Sequence, residues 1–167
     1  MTLTTLLPTL RRSLPDPLRA TRWPDHTEAT TVDVIIDAIS LDGLARLCDT
    51  PCVHTGEHTV GHARDGRTVR DDITVVLTRV VHVERLADGL ALRLDADLTH
   101  ADPSWTDLRL IGRASTASVT NAIVVDGLRA TSLVPADVTA GDVVAVPCAG
   151  LFTRRDIRRG AATGRDR

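Results

Sequence analysis

Three histidines, His54, His58 and His62, recur every four residues in PCVHTGEHTVGHARDG, and Cys48 and Cys52 stand just before the first of them. On a helix that spacing would align three imidazoles on one face, and Cys52 would add a soft ligand, a donor set suited to zinc. Gly56 and Gly61 interrupt the stretch, and TPCVHT reads as a strand. The helical premise therefore fails, and loop histidines beside structural cysteines are the preferred reading of Cys52, His54 and His58. No metal is expected.

A second group, Asp95, Asp97, His100 and Asp102, lies in LDADLTHADP. A carboxylate beside an imidazole tunes its basicity, so Asp97 and His100 could form an acid–base pair at a barrel mouth. Asp95 and Asp97 alternate and would share a strand face, where they repel unless one is solvated or protonated. The competing reading is a strand end closed by an Asx turn at Asp102-Pro103.

The elements that would position these residues are short strands. TTVDVIIDA alternates, with Val32, Val34 and Ile36 on one face. SLDGLARLC fits a short helix capped by Ser40, with Leu41, Leu44, Ala45 and Cys48 at helical spacing. The polar stretch 56–72, with no apolar period, reads as a loop. ITVVLTRVVHVERL and LALRLDADLT form a hairpin across Ala87-Asp88-Gly89, since Asp-Gly favours a tight turn. LRLIGRAST, TNAIVV and VVAVPCAGLF supply the last strands. Residues 2–14 fit a short amphipathic helix, and LPDPLRATRWPDH an extended connector.

The fold expected is mainly β: a small antiparallel Greek-key-type β-barrel with one short helix and an amino-terminal helical segment. Residues 1–21 form an arm and linker, 22–153 the barrel, and 154–167 a basic tail.

Composition narrows the class. The 167-residue chain suits one domain, and a hydrophobic content of 43% allows a real core. That core must be aliphatic, because Trp23, Trp105 and Phe152 are the only aromatics. All 20 basic residues are arginine, a bias that, with abundant Ala, Asp and Thr, points to a high-GC, actinobacterial genome. Without lysine there is no Schiff-base chemistry with carbonyl cofactors.

Net charge is −2, but residues 154–167 hold six arginines against two aspartates. No aromatic platform or reading motif accompanies them, so nucleic-acid binding is not expected and the tail reads as solvated. Cys48, Cys52 and Cys148 make an odd set without a secretory signal, which implies a cytoplasmic protein with reduced thiols. No apolar run approaches membrane-spanning length.

These stretches also carry a resemblance. ISLDGLARLCDTPCVHT resembles the amino-terminal segment of diaminopimelate/ornithine decarboxylase-like enzymes of PLP fold type III. VLTRVVHVERLADGLALRLDADLTHADP resembles the passage after their TIM barrel, and DLRLIGRAST and LVPADVTAGDVVAVPCAGLF resemble their final barrel strands. The similarity runs in order over roughly residues 22–153. It implies a β-domain standing alone, with 56–72 in place of a TIM barrel of about 250 residues.

The departures imply lost chemistry. The family's Schiff-base lysine has no counterpart. Its Cys-Glu-Ser-x-Asp phrase falls on Ser115-Thr116-Ala117-Ser118-Val119, so serine replaces cysteine and valine replaces aspartate. Its late tyrosine falls on Phe152. By this resemblance Ser115, Thr116 and Phe152 would line any retained pocket, with no cofactor. Ser115 would be a nucleophile only with a base, His82 or His100, beside it.

Two functions follow. One is a non-catalytic interaction or ligand-binding module, as a homo-oligomer or with a decarboxylase-like partner, because loss of the TIM barrel leaves an apolar face to cover. The other is a cofactor-independent isomerase, cyclase or hydrolase of secondary metabolism, acting on a small molecule inside the barrel. The barrel interior discriminates them: aliphatic packing favours the first, and a cavity lined by Ser115, Asp97 and a histidine the second.

Overall fold

A computed structural model of the chain describes residues 17–126 and 128–157. The first elements are β1 (Thr27–Ala29), β2 (Val34–Ile36) and β3 (Ile39–Ser40), which form a small antiparallel meander, followed by helix α1 (Leu41–Cys48). Ser40 caps α1 as its sequence suggests: its Oγ accepts from Gly43 N at 2.9 Å. Leu41 and Ala45 are buried on its inner face, while Cys48 at the frayed end is exposed.

The main sheet contains β4 (Cys52–His62), β5 (Thr68–Leu86), β6 (Gly89–Leu94), β7 (Asp102–Pro103), β8 (Arg109–Ile111), β9 (Val119–Asp126), β10 (Leu128–Pro135) and β11 (Val143–Ala149). Its order is β10-β9-β6-β5-β11-β7, with β4 also on β5 and β8 also on β11. Every pair is antiparallel except β6–β9, which runs parallel. The sheet curls into a half-barrel, so the mainly β, barrel-like class with one short helix is what the chain adopts.

β5 organises the fold. Its first half lies between β4 and β11, and its second half pairs with β6 beyond a register shift at Val80/His82. Such a bulge bends a strand and lets it serve two parts of one sheet. Residues 73–78 are buried on both faces. Val76 and Val80 face the barrel interior, which is filled by Leu90, Leu92 and Leu94 of β6, Val124 of β9, Val134 of β10 and Val146 of β11. Val75 and Leu77 face a second core with Trp23, Ile36, Leu41 and Ala45. Each fully buried leucine contributes about 2 kcal/mol.

Several expectations are corrected. The stretch 56–72 is not a loop: β4 runs to His62 and β5 starts at Thr68, so a strand hairpin turns only at 63–67. The arm is exposed on both faces over most of its length, which removes the alternation that would have revealed strands. β10 was not foreseen, and GRAST after β8 is irregular. Val32 is 42% exposed because the strand starts only after the Thr30–Asp33 turn. The basic tail does not begin at Arg154. Ile157 is fully buried in the main core and its carbonyl accepts from Asp97 N at 2.9 Å, so the barrel extends to that residue. The amino-terminal helix expected over residues 2–14 lies outside the described residues, as does the tail beyond Ile157. Residues 20–22 make a single 3₁₀ turn. Among the described residues no helix is long and apolar enough to cross a membrane.

Candidate functional site

The acidic cluster is divided by the fold. β6 ends at Leu94, so Asp95 and Asp97 do not continue one strand face. Asp95 turns inward, where Oδ1 accepts from Thr78 Oγ1 at 2.6 Å and Arg79 N at 2.8 Å, and Oδ2 accepts from Thr50 Oγ1 at 2.6 Å. Asp97 accepts from the N–H and hydroxyl of Thr99 at 3.0 and 2.5 Å, closing a local turn. His100 is exposed in that turn, and Asp102 pairs with Ala149 in β7 instead of starting an Asx turn. No acid–base pair is assembled between Asp97 and His100 by any of these bonds.

Ser115 is buried, and its hydroxyl donates to Asp137 Oδ1 at 2.6 Å while accepting from Ala117 N at 3.1 Å. Asp137 in turn receives Arg113 Nη1 at 3.1 Å, and Arg113 also grips Asp142 through Nε and Nη2 at 2.8 and 2.7 Å. Ser115 thus belongs to a pin that fastens the irregular segment after β8 to the turn before β11. Thr116 is exposed, and neither His82 nor His100 shares a hydrogen bond with Ser115 among the described residues. Phe152 packs its ring against the main core, and its N–H donates to Thr74 Oγ1 at 3.1 Å.

This pin carries a pH dependence. Burial pushes the Asp142 carboxyl up, but Arg113 and the Thr139 N–H together outweigh it and hold it below its ordinary 3.8. A depressed carboxylate stabilises the fold above its unfolded pKa, and that contribution is lost as pH falls through the folded value. Asp142→Asn should therefore cost about 1–2 kcal/mol near neutral pH. The gap to the parent should narrow as pH falls below the ordinary carboxylate range. Urea titrations at several pH values check this; a gap that is constant with pH would refute it.

The metal candidates are spread along β4. In a strand, residues four apart stand about 13 Å from each other, so His54, His58 and His62 cannot share one ion. Cys52 is buried, and its thiol is pushed up to about 11 by that burial; burial likewise raises Cys148 to about 12. Both stay protonated at neutral pH and are poor ligands and nucleophiles. His58 Nδ1 lies 3.3 Å from Asp25 Oδ1, and the connector is held against the strand there by the Thr59 N–H and hydroxyl, which donate to Asp25 Oδ2 at 3.0 and 2.7 Å. Among the described residues no three His, Cys, Asp or Glu side chains gather as a metal site.

Sequence reasoning missed a groove. The sheet's first strand, β10, and its last, β7, curl toward each other without pairing. Ser132 Oγ of β10 bridges the gap to the carbonyl of Trp105 at 2.6 Å. Beside that bridge the open seam leaves a groove of about 490 Å³ lined by Arg22, Asp102, Trp105, Arg129 and Thr131, among others, over Pro147 and Ala149 of β11. Buried Asp107 builds its wall: Oδ2 accepts from Ser104 Oγ and Thr106 Oγ1 at 3.1 and 3.0 Å, and Oδ1 pairs with Arg19 Nε at 3.7 Å. Arg19 thereby anchors the connector that brings Thr21 and Arg22 to the groove. Only Asp102 belonged to a cluster visible in sequence, because the lining comes from segments more than 100 residues apart.

No family model matches this chain, and no curated protein or solved structure does either.

Proposed function

We propose that this chain is a non-catalytic β-barrel module that works by binding, as an interaction or accessory subunit without PLP chemistry, its barrel akin to the decarboxylase β-domain that its sequence resembles. The observation that carries this reading is the barrel interior, which is filled by branched aliphatic side chains from β5, β6, β9, β10 and β11. A small barrel filled in this way has no room for a substrate at its centre. The residues with catalytic potential are engaged separately: Ser115 in the Arg113 pin, Asp97 on Thr99, and Cys52 and Cys148 as buried neutral thiols.

The β4–β5 arm supports the same reading. It stands where the resemblance places a TIM barrel, and at its end a two-stranded hairpin exposes Val60 at 50% and Val69 at 41%. An isolated two-stranded ribbon is marginal in water, and a partner strand or surface would stabilise it.

Native mass spectrometry of the protein drawn gently from its own cells tests the proposal. The expected result is a defined assembly, homomeric or with one partner. The Val60→Asp/Val69→Asp variant should dissociate to monomer while its circular dichroism spectrum stays that of the parent. A bare monomer, or a monomer that turns over a bound small molecule, overturns it.

A further inference from the structure

We infer that the open seam of the half-barrel is a binding site for a small organic phosphate bearing hydroxyl groups, of the sugar-phosphate class. This inference is independent of the interaction reading, since a metabolite can occupy the seam whether or not the arm docks a partner.

The groove holds about 490 Å³, within the range of small-molecule clefts. Its polarity is specific. Arg19, Arg79 and Arg113 are each paired with a carboxylate and hold structure. Arg22 and Arg129 converge on the groove from the connector and from β10, and among the described residues neither guanidinium has a hydrogen bond or ion pair. Two guanidinium forks, together with the hydroxyls of Thr21 and Thr131 in the same lining, offer more donors than a carboxylate can accept. The three terminal oxygens of a phosphate monoester match them.

Asp102 narrows the class further. An exposed carboxylate in the same groove repels a second phosphate and accepts hydrogen bonds, which suits a ligand whose far end carries hydroxyls. Trp105 supplies a partly buried aromatic wall against which the C–H face of a sugar can lie. That wall is held in advance. The Trp105 carbonyl is fixed by Ser132, and the turn that carries it is fixed by Asp107. Groups held in place before binding lose little entropy when the ligand arrives.

Trp105 also provides the readout, because the only other tryptophan, Trp23, is 1% exposed in the second core. Intrinsic fluorescence of the full chain would be titrated with ribose 5-phosphate, inorganic phosphate and ribose. Calorimetry on the same samples would give independent constants. The expected result is saturable binding of ribose 5-phosphate, weaker binding of inorganic phosphate, and none of ribose. Arg22→Gln and Arg129→Gln should each weaken ribose 5-phosphate about tenfold, with thermal midpoints unchanged in the absence of ligand. Asp102→Asn should erase the advantage of the sugar phosphate over phosphate. Absence of saturable binding up to about 10 mM would overturn the site, as would affinity unchanged in the Arg22→Gln/Arg129→Gln variant. Equal affinity for inorganic phosphate and ribose 5-phosphate would overturn the sugar-phosphate assignment.

Discussion

Gly89→Ala is expected to destabilise the protein by about 3–5 kcal/mol and to lower Tm by roughly 10 °C. Gly89 opens β6 directly after the Ala87-Asp88 turn, with φ at +148°, a conformation that L side chains rarely adopt. An added Cβ would stand 2.2 Å from the backbone oxygen of Asn121 on β9. That oxygen belongs to a strand fixed on both sides, by β10 and by the parallel pairing Leu90↔Ala122, so it cannot withdraw without disturbing the sheet. Gly66→Ala is the control. Its φ is +82° but nothing lies within 4 Å of its Cβ position, so it incurs only the left-handed backbone penalty of about 1 kcal/mol. Urea unfolding followed by circular dichroism measures both. If Gly89→Ala cost no more than Gly66→Ala, the close approach of β9 to β6 would not be what the glycine permits.

The hairpin that carries Gly89 was legible because Asp-Gly between two apolar runs is a local signal, and local signals survive in sequence. Helix α1 was legible for the same reason: Ser40 caps it, and Leu41 and Ala45 repeat at its period. The failures also have local causes. In β10 two neighbours break the pattern, with Ser132 buried at 4% and Leu133 exposed at 58%, so hydrophobicity at these positions points to the wrong face. Ser132 is inside because its hydroxyl serves the Trp105 carbonyl, a partner 27 residues away that no local pattern can show. The stretch 56–72 carries no strand signal in sequence because strands wetted on both sides lack a period of two.

The site was less legible than the fold. Residue type singled out Asp97, His100, Ser115 and the β4 histidines, yet chemistry depends on which groups meet: Ser115 meets Asp137, Asp97 meets Thr99, and the β4 histidines are spread along a strand. Arg22 and Arg129 drew no notice, since isolated arginines in a chain with 20 of them carry no signal. They matter only because the curled sheet brings β10 beside the connector. Closure of the barrel shapes both regions. Inside, it brings aliphatic faces together; at the seam, where closure stops, it leaves polar edges that include Arg22 and Arg129.

Asp95→Ala is expected to cost about 2–4 kcal/mol, although in sequence this residue is only one member of an acidic cluster. The β5–β6 ladder ends at Val80↔Leu94, and the Asp95 side chain continues it by accepting from Arg79 N and from the fully buried Thr78. The same carboxylate reaches Thr50, buried just before β4, so it adds a side-chain tie between the end of β6 and the approach to β4, two segments that do not pair with each other. Alanine strands these donors away from water, and desolvated donors without partners account for most of the loss. Asp95→Asn keeps one acceptor oxygen for Thr78 and Arg79 and turns an amide toward Thr50, whose hydroxyl can accept. Its cost should be about 1 kcal/mol. A double-mutant cycle of Asp95→Ala with Thr50→Val should give a coupling of about 1 kcal/mol, because each change removes the bond between Thr50 and Asp95. Denaturant unfolding of the four proteins measures it. Equal costs for Asn and Ala, with no coupling to Thr50, would mean that the carboxylate is dispensable to the fold. Asp95 would then be free for the chemistry that this network otherwise denies it.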